Sequence, residues 1–299
     1  MFAAASNGLL PVDKSKIRGM FVFGSSVVDN GNNNFIPNPL GRADYPPYGV
    51  DFPLGSTGRF TNGENMADIL GKKLNISNYI PPFNDPSTAG TRIVHGVNYG
   101  SGGSGVLDET GANLSFIQGN VVSLNRQISN FEAMTLPKLE MQLGQNRSRL
   151  LPQYLFFVAC GGNDYSLNYF LNSTRSNVTL EAFTANLIST YTLGLKRLYS
   201  LGARKFVLAS IVPNGCAPVA VALAPGFLNV NTSCCKVSAS ASRIGCARGG
   251  SVCTNRREFV YFDHTHVTEA VNHEIATKAV SSNLRDEVYP YNVQKLSQI

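Results

Sequence analysis

Tryptophan is absent, histidines number only 4, and charged residues make up only 15% of the chain. The Lys and Arg residues are scattered rather than gathered into tracts. The net charge of +6 therefore describes a mildly basic surface, compatible with an acidic polysaccharide, and excludes a nucleic-acid footprint. No run approaches the roughly 18 apolar residues that a membrane-spanning helix requires. No CxxC pair occurs among the 6 cysteines, which ranks zinc below disulfide bonding as the use of Cys234, Cys235, Cys246 and Cys253. These four fall in a Gly/Ser-rich stretch of little periodicity, so a loop stapled by disulfides is predicted there. Cys160 lies in an apolar strand and reads as a packed free thiol. Nothing repeats at a fixed period and no linker divides the chain.

What is present can build a large core: 299 residues, 43% of them hydrophobic, with 28 glycines to turn the backbone, fit one large domain. Strand and helix patterns alternate. Gly19 to Phe23 reads as a strand, followed by a long Gly/Pro/Asn-rich loop to about Thr61; long loops of that kind are usually functional. A helix opening at Asn62-Gly63-Glu64 places Met66, Ile69, Leu70 and Leu74 on one face. Val94 to Tyr99 predicts a second strand running into the glycine turn Gly100 to Gly105. Leu124 to Gly144 has helical spacing interrupted by Pro137, which predicts two helices or a kinked one. Tyr154 to Cys160 is a continuous apolar run of strand length, and strands apolar on both faces belong to parallel sheets covered by helices. Thr179 to Leu201 predicts a helix with Phe183, Leu187, Tyr191, Leu195 and Leu198 inward and Gly202 just past its end. Lys205 to Val212 and Phe259 to Phe262 are further strands, and Thr268 to Leu284 a closing helix with Val271, Ile275, Ala279 and Val280 inward. The alternation argues for an α/β sandwich with its binding groups at strand ends.

Chemistry-bearing residues cluster at four such ends: Gly24-Ser25-Ser26, the turn at Gly102-Gly103, Gly161-Gly162-Asn163-Asp164, and Asp263-His264-Thr265-His266. A serine, a histidine and a carboxylate are the parts of an activated nucleophile. Taken alone, the first of these ends reads equally well as an ordinary strand followed by an Asn-rich loop; the histidine block far downstream tips the balance. Val28 stands where a Gly-x-Ser-x-Gly elbow would have its second glycine, which excludes the α/β-hydrolases.

In order and content the four blocks resemble those of the SGNH hydrolases, specifically the plant-type GDSL esterase/lipases. Phe21 to Asn34 resembles that family's strand, nucleophile and Asn-rich loop, Val97-Asn98-Tyr99 its second block, and Thr268-Glu269-Ala270-Val271-Asn272 the helix after its histidine. The resemblance implies a three-layer α/β/α sandwich with a mainly parallel sheet over residues 19–299, after an N-terminal extension of residues 1–18. That extension has small residues like the end of a signal peptide, but no basic region and too short an apolar core. Six glycosylation sequons, at Asn75, Asn113, Asn146, Asn172, Asn177 and Asn231, give weak support to secretion. Carried over position by position, Ser26 is the nucleophile, His266 its base and later its acid, and Asp263 the residue that orients His266. The oxyanion donors are the backbone N–H groups of Ser26 and Gly103 and the amide of Asn163. No cofactor or metal is implied. The implied reaction is hydrolysis of a lipid, polysaccharide or small-molecule ester through an acyl-enzyme; transfer of the acyl group to another alcohol, or a catalytically impaired binding paralogue, are the alternatives. His264, His95 and His273 read as surface or packing residues.

The sequence departs from the family pattern in three places. Ser25 replaces the motif's aspartate and Val27 its leucine; Phe262 and Val267 stand where the family has tryptophan and proline. The interval from Gly215 to Cys234 is short by several tens of residues, which predicts loss of the last edge strand and leaves Cys216 without its usual partner. Because the aspartate replaced by Ser25 is not the triad acid, Ser25→Asp is expected to leave ester hydrolysis intact or improved, whereas Ser26→Ala abolishes it; equal rates in Ser26→Ala and the parent would refute the assignment.

Overall fold

The computed structural model describes residues 17–76, 78–111, 119–171, 178–211, 227–238 and 245–299. Cys216, Asn113, Asn172, Asn177, nearly all of the N-terminal extension and much of the 215–234 interval lie outside the described residues. Three parallel strands form the central sheet in the order β1 (Gly19–Gly24), β2 (Tyr154–Ala159), β3 (Lys205–Leu208). Gly19 to Gly24 pair in register with Tyr154 to Ala159, and Leu155 to Val158 with Lys205 to Leu208. The predicted strand at Val94 to Tyr99 forms a fourth lane on the outer edge of β1. It does so through single bridges rather than a continuous ladder: Met20 and Val22 donate to the carbonyls of His95 and Val97, and Tyr99 donates back to Val22. Asn98 is shared with the neighbouring Pro81–Phe83 segment, which draws the lane away from regular pairing.

Side-chain alternation along β1 sorts the core into two layers. Phe21 and Phe23 point to one face, with Phe156, Val158, Leu124, Ile128, Phe131, Phe183 and Leu187; Met20 and Val22 point to the other, with Leu155, Phe157, Met66, Leu70 and Val293. Helices α2 (Leu124–Asn130), α3 (Leu136–Leu143) and α5 (Leu180–Leu201) cover the first face, the short α4 (Arg147–Leu150) leading from α3 towards β2. Helices α1 (Met66–Lys73), α6 (Glu269–Ser281) and α7 (Val293–Gln298) cover the second. This is the three-layer α/β/α sandwich, and it follows from a period of two in strands that are apolar at every position. The interruption expected at Pro137 is present: α2 and α3 are two helices joined by a π-helical segment, Phe131–Thr135, and Pro137 sits in the first turn of α3, where no backbone donor is needed.

Two predicted details shift. The N-cap of α1 is Asn65, not Asn62; its side chain accepts from Ala67 and Asp68 N–H while Asp68 accepts from the Asn65 N–H, a reciprocal capping box. On α6 the deepest residues are Asn272 and Ala276, with Val271, Ile275, Ala279 and Val280 only half-buried. The face turns because Asn272 donates to the Glu64 carbonyl at the start of α1, and the close α1–α6 approach favours a small or hydrogen-bonded side chain over a branched one. β4 (Asn229–Ser233) pairs in parallel with β5 (Phe259–Tyr261), and beside them disulfides join Cys234 to Cys253 and Cys235 to Cys246. Cys160 is a free cysteine packed against the first core layer, as expected, though it lies one residue beyond the end of β2.

The long loop after β1 is anchored by a buried ion pair. Arg59 makes two hydrogen bonds to the Asp68 carboxylate, at 2.7 and 2.8 Å, and its guanidinium lies 4.4 Å from the centre of the Phe52 ring. Removing one member of such a pair strands the other charge. Arg59→Ala is expected to lower the unfolding free energy by about 3–5 kcal/mol, read as a lower urea midpoint; an unchanged midpoint would contradict this role.

Candidate active site

β1 ends at Gly24 because nothing larger fits there: φ is 149°, and an added Cβ would lie 2.1 Å from the Ala159 carbonyl oxygen. The chain turns immediately, with Val28 N–H donating to Ser25 O and Asp29 N–H to Ser26 O, and this turn presents Ser26 at the sheet end. The peptide groups of Gly24 are held by one side chain, Gln127, whose Oε1 accepts from Gly24 N–H at 2.8 Å and whose Nε2 donates to Gly24 O at 2.9 Å.

At the end of β5 the chain makes a second tight turn. Asp263 is fully buried, and its Oδ1 accepts from the backbone N–H groups of Thr265 and His266, both at 2.8 Å. His266 Nδ1 lies 2.7 Å from Asp263 Oδ2, and His266 Nε2 lies 2.8 Å from Ser26 Oγ. A carboxylate can only accept, so Nδ1 carries the proton and Nε2 accepts from the Ser26 hydroxyl. Phe60 packs 5.0 Å from the imidazole, centre to centre. Burial pushes the Asp263 carboxyl upward, but the charge and hydrogen bond of His266, the Tyr48 hydroxyl and the Thr265 N–H outweigh it, and its pKa falls to about 2.

The glycine turn is built against this pair. Gly103 has φ 88° and an added Cβ would lie 2.5 Å from Leu40, so glycine alone is accommodated. Asp29, wholly buried, draws the turn in: its Oδ1 accepts from Gly31 and Asn32 N–H and its Oδ2 from Gly102 N–H at 3.0 Å. Burial raises the Asp29 carboxyl to about 6 against the opposing pull of these backbone donors. Asn163 follows β2 and donates one amide hydrogen to Ser104 O at 2.9 Å, which fixes the amide and leaves its second hydrogen for another acceptor. Among the described residues, the backbone N–H groups of Ser26 and Gly103 have no protein acceptor. The structure thus brings all five residues singled out in the sequence together: Ser26, Gly103, Asn163 and His266 line one cavity of about 340 Å³, with Asp263 behind His266.

His264 is exposed, and His95 Nδ1 lies 3.2 Å from Arg18 O. Among the described residues, one group offers clustered metal-ligand atoms: Glu64, Glu269 and His273. Glu64 already accepts from Tyr79 OH and pairs with Lys72, and Glu269 accepts from Glu64 N–H, so the cluster has an internal explanation. Four residues of consequence escaped the sequence reading. Asp29 and Tyr48 lie in the long loop with no distinguishing pattern. Asp164, whose carboxylate accepts from Val106 and Leu107 N–H and Thr110 OH, stands in the third block with no local pattern that assigns it these partners. Gln127 carried a usable signal, a polar residue between Leu124, Ile128 and Phe131 on an apolar helical face.

A serine, a histidine and a buried carboxylate stand here in hydrogen-bonded sequence at the ends of parallel strands, the parts from which an activated nucleophile is built. The family model for GDSL-like lipase/acylhydrolase matches residues 20–279. Two GDSL esterase/lipases of Arabidopsis thaliana are similar to the chain: one is 33% identical over 93% of this chain and 91% of its own length, another 30% identical over 96% and 93%. A solved carbohydrate esterase aligns with 66% of this chain and 49% of its own, at 17% identity and a TM-score of 0.33, too distant to inform the site. The chain belongs to the GDSL-like lipase/acylhydrolase family and is a carboxylic ester hydrolase.

The depressed Asp263 carboxyl carries a stability consequence. Its folded pKa lies below the unfolded value, so its contribution is complete above pH ~4 and is lost as pH falls from about 4 to 2. Asp29, raised instead, acts in the opposite sense between about pH 6 and 4. Asp263→Asn is expected to flatten the loss of unfolding free energy below pH 4 by about 2–3 kcal/mol, measured by urea unfolding at stepped pH; an undiminished slope in the variant would contradict the buried, ionised carboxylate.

Proposed function

We propose that this hydrolase works through an acyl-enzyme on Ser26, and the contact between Ser26 Oγ and His266 Nε2 at 2.8 Å is the observation that carries the reading. As Oγ bonds to the ester carbonyl carbon, its proton passes to Nε2, and Asp263 holds the imidazolium so formed. The carbonyl π electrons move onto oxygen, where the N–H groups of Ser26 and Gly103 and the second amide hydrogen of Asn163 stabilise the oxyanion; one such donor is worth about 3 kcal/mol in the transition state. Collapse of the tetrahedral intermediate expels the alcohol, which takes the proton from Nε2. Water, deprotonated by the same nitrogen, then attacks the acyl-enzyme and releases the acid, restoring the Ser26 hydroxyl.

The cavity beside Ser26 is walled by Leu40, Phe60, Met66, Leu167, Leu171 and Ile211. Such a lining favours an apolar acyl group over acetyl, because each buried methylene contributes about 0.8 kcal/mol. Among the lipid, polysaccharide and small-molecule esters that the sequence leaves open, this supports a lipid-like ester. Two disulfides and exposed sequon asparagines at Asn75 and Asn146 support a secreted, glycosylated protein forming a single catalytic domain from residue 19 onward.

A fluorophosphonate probe is expected to label Ser26 and no other residue, with kcat/KM rising along a p-nitrophenyl ester series from acetate to octanoate. Labelling elsewhere would overturn the nucleophile, and a preference for acetate would overturn the acyl assignment.

A further inference from the structure

Tyr48 sits beneath the site on the far side of the Asp263 carboxylate. It is 1% exposed, and its hydroxyl donates to Asp263 Oδ2 at 2.6 Å, the same oxygen that lies 2.7 Å from His266 Nδ1. A hydroxyl can donate once and still accept. That of Tyr48 accepts from the Cys246 N–H at 3.1 Å, which fixes the direction in which its own hydrogen points. The ring is wedged between Phe60 and Phe262, at centre distances of 6.0 and 5.7 Å.

Cys246 is itself held from both sides. Its carbonyl accepts from Tyr45 OH at 3.0 Å, and its sulfur is bonded to Cys235. Cys235 N–H donates to the carbonyl of Phe262 at 2.9 Å, and Phe262 immediately precedes Asp263 in the chain. The links therefore close on themselves: Asp263 to Phe262 by the chain, Phe262 to Cys235 by a hydrogen bond, Cys235 to Cys246 by the disulfide, Cys246 to Tyr48 and Tyr48 to Asp263 by hydrogen bonds. The neighbouring Gly245 leaves room for this approach; with φ at 130°, an added Cβ would lie 2.4 Å from the Tyr48 hydroxyl.

We propose that Tyr48 is a positioning residue for the Asp263–His266 pair, and that the Cys235–Cys246 disulfide sets Tyr48 through the Cys246 N–H. The inference rests on the roles given above to Ser26, His266 and Asp263. Physically, the backbone donors of Thr265 and His266 hold one carboxylate oxygen and the tyrosine holds the other, so the carboxylate cannot rotate about its terminal torsion and the imidazole keeps its aim at Ser26 Oγ. Oriented donors fixed before reaction need no reorganisation during it. A cysteine pair some two hundred residues from the loop bearing Tyr48 thereby becomes part of the catalytic geometry, not only a staple of its own loop.

The test is a cycle of four proteins: the parent, Tyr48→Phe, Cys235→Ser/Cys246→Ser, and all three substitutions together. Each is assayed for kcat and KM on a p-nitrophenyl ester and for the rate of fluorophosphonate labelling. Tyr48→Phe keeps the ring and its packing, and is expected to lower kcat and the labelling rate about tenfold or more, the rate equivalent of one hydrogen bond to a charged group, with KM within about twofold. The cysteine pair is expected to lower kcat in the parent and to add little on top of Tyr48→Phe, because both act through one hydroxyl. A parental kcat in Tyr48→Phe overturns the proposal. Equal falls from the cysteine pair in both backgrounds overturn its disulfide half. Should the cysteine variants fail to fold, the kcat-against-KM split of Tyr48→Phe decides the role of the tyrosine, and Tyr45→Phe replaces them as the second arm, releasing the Cys246 carbonyl with the disulfide intact: a further fall on top of Tyr48→Phe as large as in the parent overturns the Cys246 link. Absence of Ser26 labelling in the parent removes the underlying reading as well, whereas normal labelling with an indifferent Tyr48 removes this inference alone.

Discussion

Asp29 carries a fully buried carboxylate among loops that have almost no regular secondary structure, and the fold around the site depends on satisfying it. An unpartnered carboxylate in such a place is among the most expensive groups a protein can bury, so the N–H groups of Gly31, Asn32 and Gly102 must remain where they are. The same logic governs its neighbours. Asn32 donates to the carbonyls of Asn98 and Gly100, Asn33 to those of Gly41 and Gly102, and Asn98 to that of Val28. Amide side chains here do for irregular backbone what a ladder does for strands. The Asn-rich tract after β1 is thus a second, polar core, which ties the turn bearing Ser26 to the glycine turn beside it.

Around that core the site is assembled from strand ends that are distant in sequence and adjacent in space. Each end contributes one kind of group: a hydroxyl from β1, backbone donors from the glycine turn, an amide from the end of β2, and the histidine with its carboxylate from the end of β5. The parallel register of β1 and β2 brings the Ser26 turn and the Asn163 turn to the same edge, which is where ligands bind in open α/β sheets. The two cores are complementary. The apolar layers set the spacing of the strands to within a side chain, and the polar lattice sets the direction of the groups that leave them.

Much of this was legible beforehand because strong patterns dominate it. The uniformly apolar β1 and β2, the long stripe of α5 and its Gly202 cap, and the histidine three residues after Asp263 each follow from local chemistry or from one motif. What escaped is of another kind. Gln127, Asp29 and Tyr48 act through partners far away in sequence, 198 positions in the case of Tyr48 and Cys246, and no local window records such a contact. The face of α6 shifted because Asn272 meets a backbone carbonyl of α1, a tertiary hydrogen bond overriding an apolar stripe. The apolar run predicts Cys160 inside a strand whose pairing stops one residue earlier, which puts the residue at the cavity wall. Ser25 keeps the turn without the aspartate of the family motif: its N–H donates to Ala159 O and its carbonyl accepts from Val28 N–H, backbone contacts that any side chain would permit.

The most direct measurement is the crystal structure of the covalent adduct formed with a phosphonate inhibitor, whose tetrahedral phosphorus and anionic oxygen stand in for the acyl intermediate. Phosphorus is expected bonded to Ser26 Oγ, with its oxygen within hydrogen-bond distance of the Gly103 N–H and the Asn163 amide while His266 remains on Asp263. An adduct whose oxygen turns away from both donors, or in which His266 has left the carboxylate, would contradict this arrangement.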